Sequence, residues 1–220
     1  ERFLLPICAG VLMIWFSPKR VNDPARKTAF ANGQFLLFRR DAFQAVGGYE
    51  ALKDSIIEDM DLARRMKAAG RRIVVAPSRG LMSVRMYTSL RELRGGWIRI
   101  FLGCFPSVFR LLAAAGVLLG RGLTLTILAA VGWAMYAAGA GEGWLICAIV
   151  ASAGLAAQLV MTARFYRYAG TRWALGLLYP VGCGLVAGLL FLALLCRLTG
   201  GNVVWKGTRY TAAKSSSNIY

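Results

Sequence analysis

Histidine is absent from these 220 residues. No Ser-His-Asp or Cys-His nucleophile, no His-ligated metal and no imidazole proton shuttle can therefore be assembled within the chain. Acid is scarce as well, with 10 Asp and Glu against 27 Lys and Arg, for a net charge of +17. Nine of the ten acids precede residue 111 and only Glu142 follows, so a general base must come from that first part or from Glu142. The 5 cysteines, Cys8, Cys104, Cys147, Cys183 and Cys196, show no C-x-x-C spacing. Four fall in or beside apolar runs, which fits small core or membrane-facing residues and excludes a disulfide or zinc framework. Nothing resembles a cleaved signal peptide. A hydrophobic content of 57% is too high for a nucleic-acid-binding tail, and no nucleic acid is expected as a partner.

Charge itself is missing from three long stretches, 122–141, 143–163 and 173–196. Each reaches the roughly 20 residues needed to cross about 30 Å of hydrocarbon, and they are expected to be membrane spans. Trp133, Trp144 and Trp173 lie at or near their ends, where an indole suits the headgroup layer. Residues 98–120 are broken by Arg99, Pro106 and Arg110 and are expected to form an amphipathic helix in the interface. Leu4 to Phe16 is too short to span comfortably and reads as a membrane-touching segment. Basic residues place the first part, the 164–172 loop and the basic tail 197–220 on the cytoplasmic side. Three spans cannot satisfy all of these. Either 98–120 also crosses, or 173–196 folds back as a re-entrant hairpin.

The first part, residues 1–97, alternates elements. Asn32 to Arg40 and Arg72 to Ala76 read as strands, Asp41 to Val46 as a short helix with Asp41 as N-cap, and Ser55 to Ala69 as a second helix closed by Gly70. Strand, helix, helix, strand predicts an α/β arrangement followed by an α-helical transmembrane region. In the second helix, Ser55-Ile-Ile-Glu58 fits the S-x-x-E capping box, and Asp59 and Asp61 suit the positive end of a helix dipole. These carboxylates either finish a helix or do chemistry, and composition alone leaves both open.

Several segments together bear on that choice: VNDP (Val21 to Pro24), NGQFLLFRRDAF (Asn32 to Phe43), VGGYE (Val46 to Glu50), IEDMDLARRMKAAG (Ile57 to Gly70), RMYTSLRELRGGW (Arg85 to Trp97) and VVWKGTRY (Val203 to Tyr210). In this order and spacing they resemble the C-terminal half of a family 2 glycosyltransferase catalytic domain. The likeness is to the bacterial membrane-bound kind that glycosylates lipid acceptors such as carotenoids, hopanoids or ceramide-like alcohols. It implies a partial GT-A domain of the nucleotide-diphospho-sugar transferase type. It also implies that the second acid of the ED pair, Asp59, is the catalytic base, with Glu58 beside it free to cap the helix.

The same resemblance assigns Gly33, Gln34, Arg85, Arg91, Arg94, Trp97, Trp205, Lys206 and Arg209 to the substrate and its diphosphate. Arg85, Arg91, Arg94 and Trp97 are similar to the basic-and-tryptophan motif of related processive synthases, although Gly95 and Gly96 separate Arg94 from Trp97. Without the resemblance, the same residues read as a basic helix meeting anionic headgroups. The implied reaction is inverting transfer from a nucleotide sugar, a UDP-sugar by family habit, to a lipid hydroxyl at the cytoplasmic face of a bacterial inner membrane. A divalent cation, Mg or Mn, is expected on an Asp-x-Asp motif located earlier in the domain than this chain reaches. Asp59-Met60-Asp61 has that spacing but lies inside a helix. The chain begins at Glu1 without Met and is expected to be a fragment lacking the donor-binding half. An elongating polysaccharide synthase and a non-enzymatic membrane scaffold are the alternatives.

Overall fold

The computed structural model describes residues 1–53, 55, 57–78, 80, 82, 84–205 and 208–211, the last two stretches of strand by their backbone alone. Its helices are α1 (Leu4–Trp15), α2 (Pro18–Asn22), α3 (Arg40–Ala45), α4 (Glu58–Ala68), α5 (Leu90–Cys104), α6 (Val108–Ala137), α7 (Glu142–Tyr168) and α8 (Tyr179–Leu198). A 3-10 turn, Trp173–Leu178, leads into α8. The strands β1 (Asn202–Trp205) and β2 (Thr208–Thr211) form an antiparallel hairpin, with Val203 opposite Tyr210 and Trp205 opposite Thr208.

That hairpin is the only sheet among the described residues, and it overturns the α/β GT-A expectation. Residues 32–38 and 72–76, apolar runs expected to be strands, form none. A strand exists by its ladder, and these segments find no ladder partner among the described residues. Some of their apolar side chains face outward, Phe35 at 67% exposure, Leu37 at 86% and Val74 at 60%, while Phe38 and Ile73 are partly buried. Backbone groups of the second segment are met by a side chain instead. Asn22 Nδ2 donates to the Val75 carbonyl at 3.0 Å, and the Val75 amide donates to Asn22 Oδ1 at 2.7 Å.

The chain forms two compact units, one of Glu1–Gly10 with Leu112–Phe191, the other of Val11–Leu111 with Leu192–Tyr220. Among the described residues, three helical runs are long and apolar enough to cross a bilayer: Val108–Ala137, Glu142–Tyr168 and Trp173–Leu198. In the first unit, helices pack through small residues, as helices in lipid do when backbones must approach closely. A Cβ on Gly132 would stand 2.8 Å from the Ala148 amide nitrogen, and one on Gly176 2.7 Å from that of Ala163. Several polar groups are paired between segments: Trp133 Nε1 donates to Ser152 Oγ at 3.1 Å, Thr162 Oγ1 to the Gly176 carbonyl at 3.1 Å, and Gln158 Nε2 to the Arg121 carbonyl. Residues 98–120 are divided between α5 and α6 by a break at Phe105-Pro106-Ser107, and 173–198 rise as one helical run.

The second unit is built on a row of aromatic rings. Trp97 meets Phe101 (5.3 Å), Phe101 meets Phe105 (6.2 Å), Phe105 meets Phe16 (6.2 Å) and Phe16 meets Phe30 (5.6 Å), with Trp15 edge-on to Phe105. These rings join the C-terminal end of α1 to one face of α5. A smaller cluster of Leu52, Leu62 and Met66, with Phe38, Phe43, Val46 and Ile73 against it, anchors α3 and α4. Gly70, at φ 68°, closes α4: its amide donates to Lys67, and that of Arg71 donates to Met66 at 2.8 Å. This double bond is the Schellman pattern.

Candidate active site

α4 opens differently from the capping box expected of it. The N-cap is Ile57, whose carbonyl accepts the Asp61 amide at 3.1 Å. Ser55 lies two residues upstream, and its hydroxyl donates to Asp61 Oδ2 rather than serving the helix backbone. The pattern S-x-x-E is used in earnest at α5, where Ser89 is the N-cap and accepts the Glu92 amide at 3.2 Å. Glu92 Oε2 reaches back to the Thr88 amide at 2.9 Å and to its hydroxyl at 2.8 Å. The short α3 likewise has Arg39 at its N-cap, with Asp41 inside the first turn.

With no cap ahead of them, the three acids of the first turn of α4 take separate partners. Asp59 Oδ2 accepts the Gly33 amide at 2.6 Å, and its Oδ1 accepts the neighbouring Met60 amide at 2.7 Å. Asp61 holds Ser55 and, at 2.7 Å, Arg64 Nη1, while Arg64 Nη2 donates to the Gly103 carbonyl of α5 at 2.9 Å. Glu58 is the exposed member, its side chain 56% accessible, with Arg99 Nη1 4.0 Å from its Oε2. The helix dipole favours all three, but only Asp59 is tied to a distant backbone amide.

The N-cap of α4 meets α5 at a glycine. A Cβ on Gly103 would strike the Ile57 side chain; two turns earlier on the same face, one on Gly96 would stand 2.5 Å from the ring of Tyr87, which comes from the segment just before α5. Ile57 and Tyr87 are both buried. The N-cap of α4 is thus seated in a notch of α5, which fixes the carboxylate turn against it.

Burial pushes the Asp59 carboxyl above the ordinary aspartate range; the Gly33 and Met60 amides oppose this, Glu58 adds to it, and Arg99 opposes it. The result is a carboxylate that is more basic than an exposed one yet held by two hydrogen bonds. Each carboxylate oxygen has a second lone-pair direction for a further donor. Cys104, at the end of α5, is pushed up to about 12 by burial and is no thiolate nucleophile.

Of the residues singled out in the sequence, the structure joins Gly33 to Asp59 and places Glu58 beside it. Gln34 is exposed next to Gly33, its amide donating to Asn32 Oδ1 at 3.2 Å. Arg85, Arg91 and Arg94 are exposed. Trp97 is buried to 4% exposure on the aromatic row, and its indole N–H meets no acceptor among the described residues. β1, which carries Trp205, lies along α5, and Arg209 is opposite Val204 on β2. Lys206 lies outside the described residues. Arg64 and Arg99 were missed. Arg64 follows Asp61 by three positions, a helical pairing readable in advance; Arg99 reaches Glu58 from another helix and leaves no local signal.

Among the described residues no group of three or more His, Cys, Asp or Glu could hold a metal ion. Asp59 and Asp61, despite their spacing, turn to different partners, Gly33 and Met60 for the first, Ser55 and Arg64 for the second. What the turn offers is a positioned proton acceptor.

A protein-family model described as glycosyl transferase family 21 matches residues 21–217. No curated protein and no solved structure matches the chain.

Proposed function

The chain belongs to glycosyl transferase family 21, and on that footing we propose that it transfers a sugar from a nucleotide donor to the hydroxyl of a membrane lipid, with inversion and with Asp59 as general base. The family makes it a sugar-transferring enzyme, and its three apolar helices suit a membrane location. The family matched is numbered 21, whereas the sequence motifs resembled family 2. The finer assignments below rest on the site.

The observation that carries the proposal is the Asp59 carboxylate, half-buried, raised in basicity and fixed by the Gly33 amide at 2.6 Å. In an inverting displacement the acceptor hydroxyl attacks the anomeric carbon from the face opposite the departing diphosphate. The hydroxyl is a poor nucleophile until a base within hydrogen-bond reach removes its proton, an effect of roughly 10²–10⁴-fold. Asp59 takes that proton. Charge developing on the nucleoside diphosphate, UDP in this reading, calls for fixed cations, and the exposed Arg85, Arg91 and Arg94 are free to meet it. A lipid acceptor is supported by the apolar runs, which keep the enzyme where such alcohols reside, at the cytoplasmic face by the distribution of basic residues.

The experiment is transfer from a radiolabelled nucleotide sugar to a lipid extract by membranes carrying the full-length protein. Asp59→Asn preserves size and a hydrogen-bonding group but removes the proton acceptor, and it is expected to lower turnover by about 10²–10⁴-fold. Near-normal turnover would show that Asp59 is not the base.

A further inference from the structure

The break between α5 and α6 leaves a carbonyl without its helical donor. In a continuous helix the Leu102 carbonyl would accept the amide of residue 106, but that residue is Pro106 and has no N–H. Arg197, in the last turn of α8, supplies the missing donor: its Nη2 donates to the Leu102 carbonyl at 2.6 Å and its Nη1 to the Pro106 carbonyl at 2.8 Å. The very next carbonyl, Gly103, accepts Arg64 of α4. Two arginines from two helices thus grip adjacent carbonyls at the end of α5. Through Arg64 the grip continues to Asp61, and from there to the turn that holds Asp59.

We propose that Arg197 is a positioning residue, joining the end of the last membrane helix to the carboxylate turn through α5 and Arg64, so that Asp59 is held at a set distance from the bilayer where a lipid alcohol presents its hydroxyl. The catalytic part of this statement rests on Asp59 being the base. The planar fork of arginine is what the geometry requires, because one ammonium cannot serve two carbonyls with the same alignment. The same turn also fixes the exit of β1. Gly200, at φ 64°, ends α8, the Gly201 amide donates to the Cys196 carbonyl at 2.8 Å, and β1 then runs along α5.

The full-length protein is placed in nanodiscs of phosphatidylcholine and phosphatidylglycerol, and Arg197→Lys, Arg197→Met and Arg64→Lys are compared with the unaltered protein. With a long-chain alcohol embedded in the bilayer, kcat is expected to fall about tenfold to a hundredfold, the cost of misplacing a reacting group by around 1 Å. KM for the nucleotide sugar should not move. With a short-chain, water-soluble alcohol, which finds the base without help from the bilayer, the losses should nearly vanish. Equal losses on both acceptors would mean that the substitutions merely destabilise the protein, and would overturn the proposal.

Hydrogen exchange in the same nanodiscs provides a readout independent of catalysis. The amides at the end of α5 and those in the first turn of α4 should gain exchange together in the Arg197 variants, and faster exchange confined to α5 would also overturn the coupling. An active Asp59→Asn enzyme would remove the base assignment while leaving the exchange result to decide the clamp. Should Arg197→Met fail to accumulate, Arg197→Lys and Arg64→Lys carry both measurements.

Discussion

Gly33 donates its amide to Asp59 Oδ2 at 2.6 Å, and a Cβ placed on Gly33 would stand 3.1 Å from that same oxygen. The glycine is therefore required for the approach of a carboxylate, not for an unusual backbone, since its φ is not in the left-handed region. Gly33→Ala should fold normally, within about 1 kcal/mol of the parent. Turnover should fall roughly tenfold, because the carboxylate must give way by a few tenths of an ångström at the reacting group. Steady-state transfer and thermal unfolding in detergent, measured on one preparation, check both halves.

The raised Asp59 carboxyl sets the sign of two pH effects. As a base it works only when ionised, so the acid limb of kcat/KM should lie above the ordinary aspartate value of about 3.9. Stability runs the other way. Between the unfolded and the raised folded pKa the native state binds more protons than the unfolded state, so stability falls as pH rises through that window. Asp59→Asn should flatten this component of the stability profile; a limb at or below the ordinary value would contradict the assignment.

The neighbouring acids should separate by stability rather than rate. Asp61 is three-quarters buried, with the Ser55 hydroxyl and the Arg64 guanidinium on it. Asp61→Asn leaves that guanidinium without its charge partner and is expected to cost about 1–3 kcal/mol. Glu58 is mostly exposed, with Arg99 at 4.0 Å, and Glu58→Gln should change stability by no more than about 0.5 kcal/mol. Chemical denaturation of the two variants in detergent decides the order.

The seat of α4 in α5 can be tested by filling it. Gly103→Ala drives a methyl into Ile57 and is expected to destabilise by about 1–3 kcal/mol, as over-packing does. Ile57→Ala removes the obstructing atoms, so the double variant should lose less than the sum of the two single ones. Additive losses in a thermal double-mutant cycle would mean that the notch does not set the helix spacing.

Much of this was legible in the sequence for a physical reason. Absence of charge over twenty residues is a one-dimensional signal, and 122–141, 143–163 and 173–196 each fall largely or wholly within a helical run long enough to span. α4 and its Gly70 stop were readable from local rules, but its start was not: Ser55 carried the capping pattern, whereas Ile57 is the N-cap. The same pattern at Ser89 and Glu92 does form a cap and went unread. The strands failed for a different reason, since an apolar run such as Phe35 to Phe38 says nothing of whether a neighbouring backbone is there to pair. At the site, Asp59 and Gly33 were reached through motif resemblance, while Arg99 and Arg197 depend on contacts between helices far apart in sequence.

The carboxamide of Asn22 on Val75 also guards the molecule. A segment outside any ladder, with an exposed apolar residue such as Val74, offers backbone groups to which a passing chain can pair. Asn22 occupies those of Val75 with both donor and acceptor, and Lys67, at the end of α4, pins the following residue by donating to the Asp23 carbonyl at 2.7 Å. An incoming strand would have to evict a stopper already fastened from behind, so resistance to strand addition at this place is built into the same helix that presents Asp59.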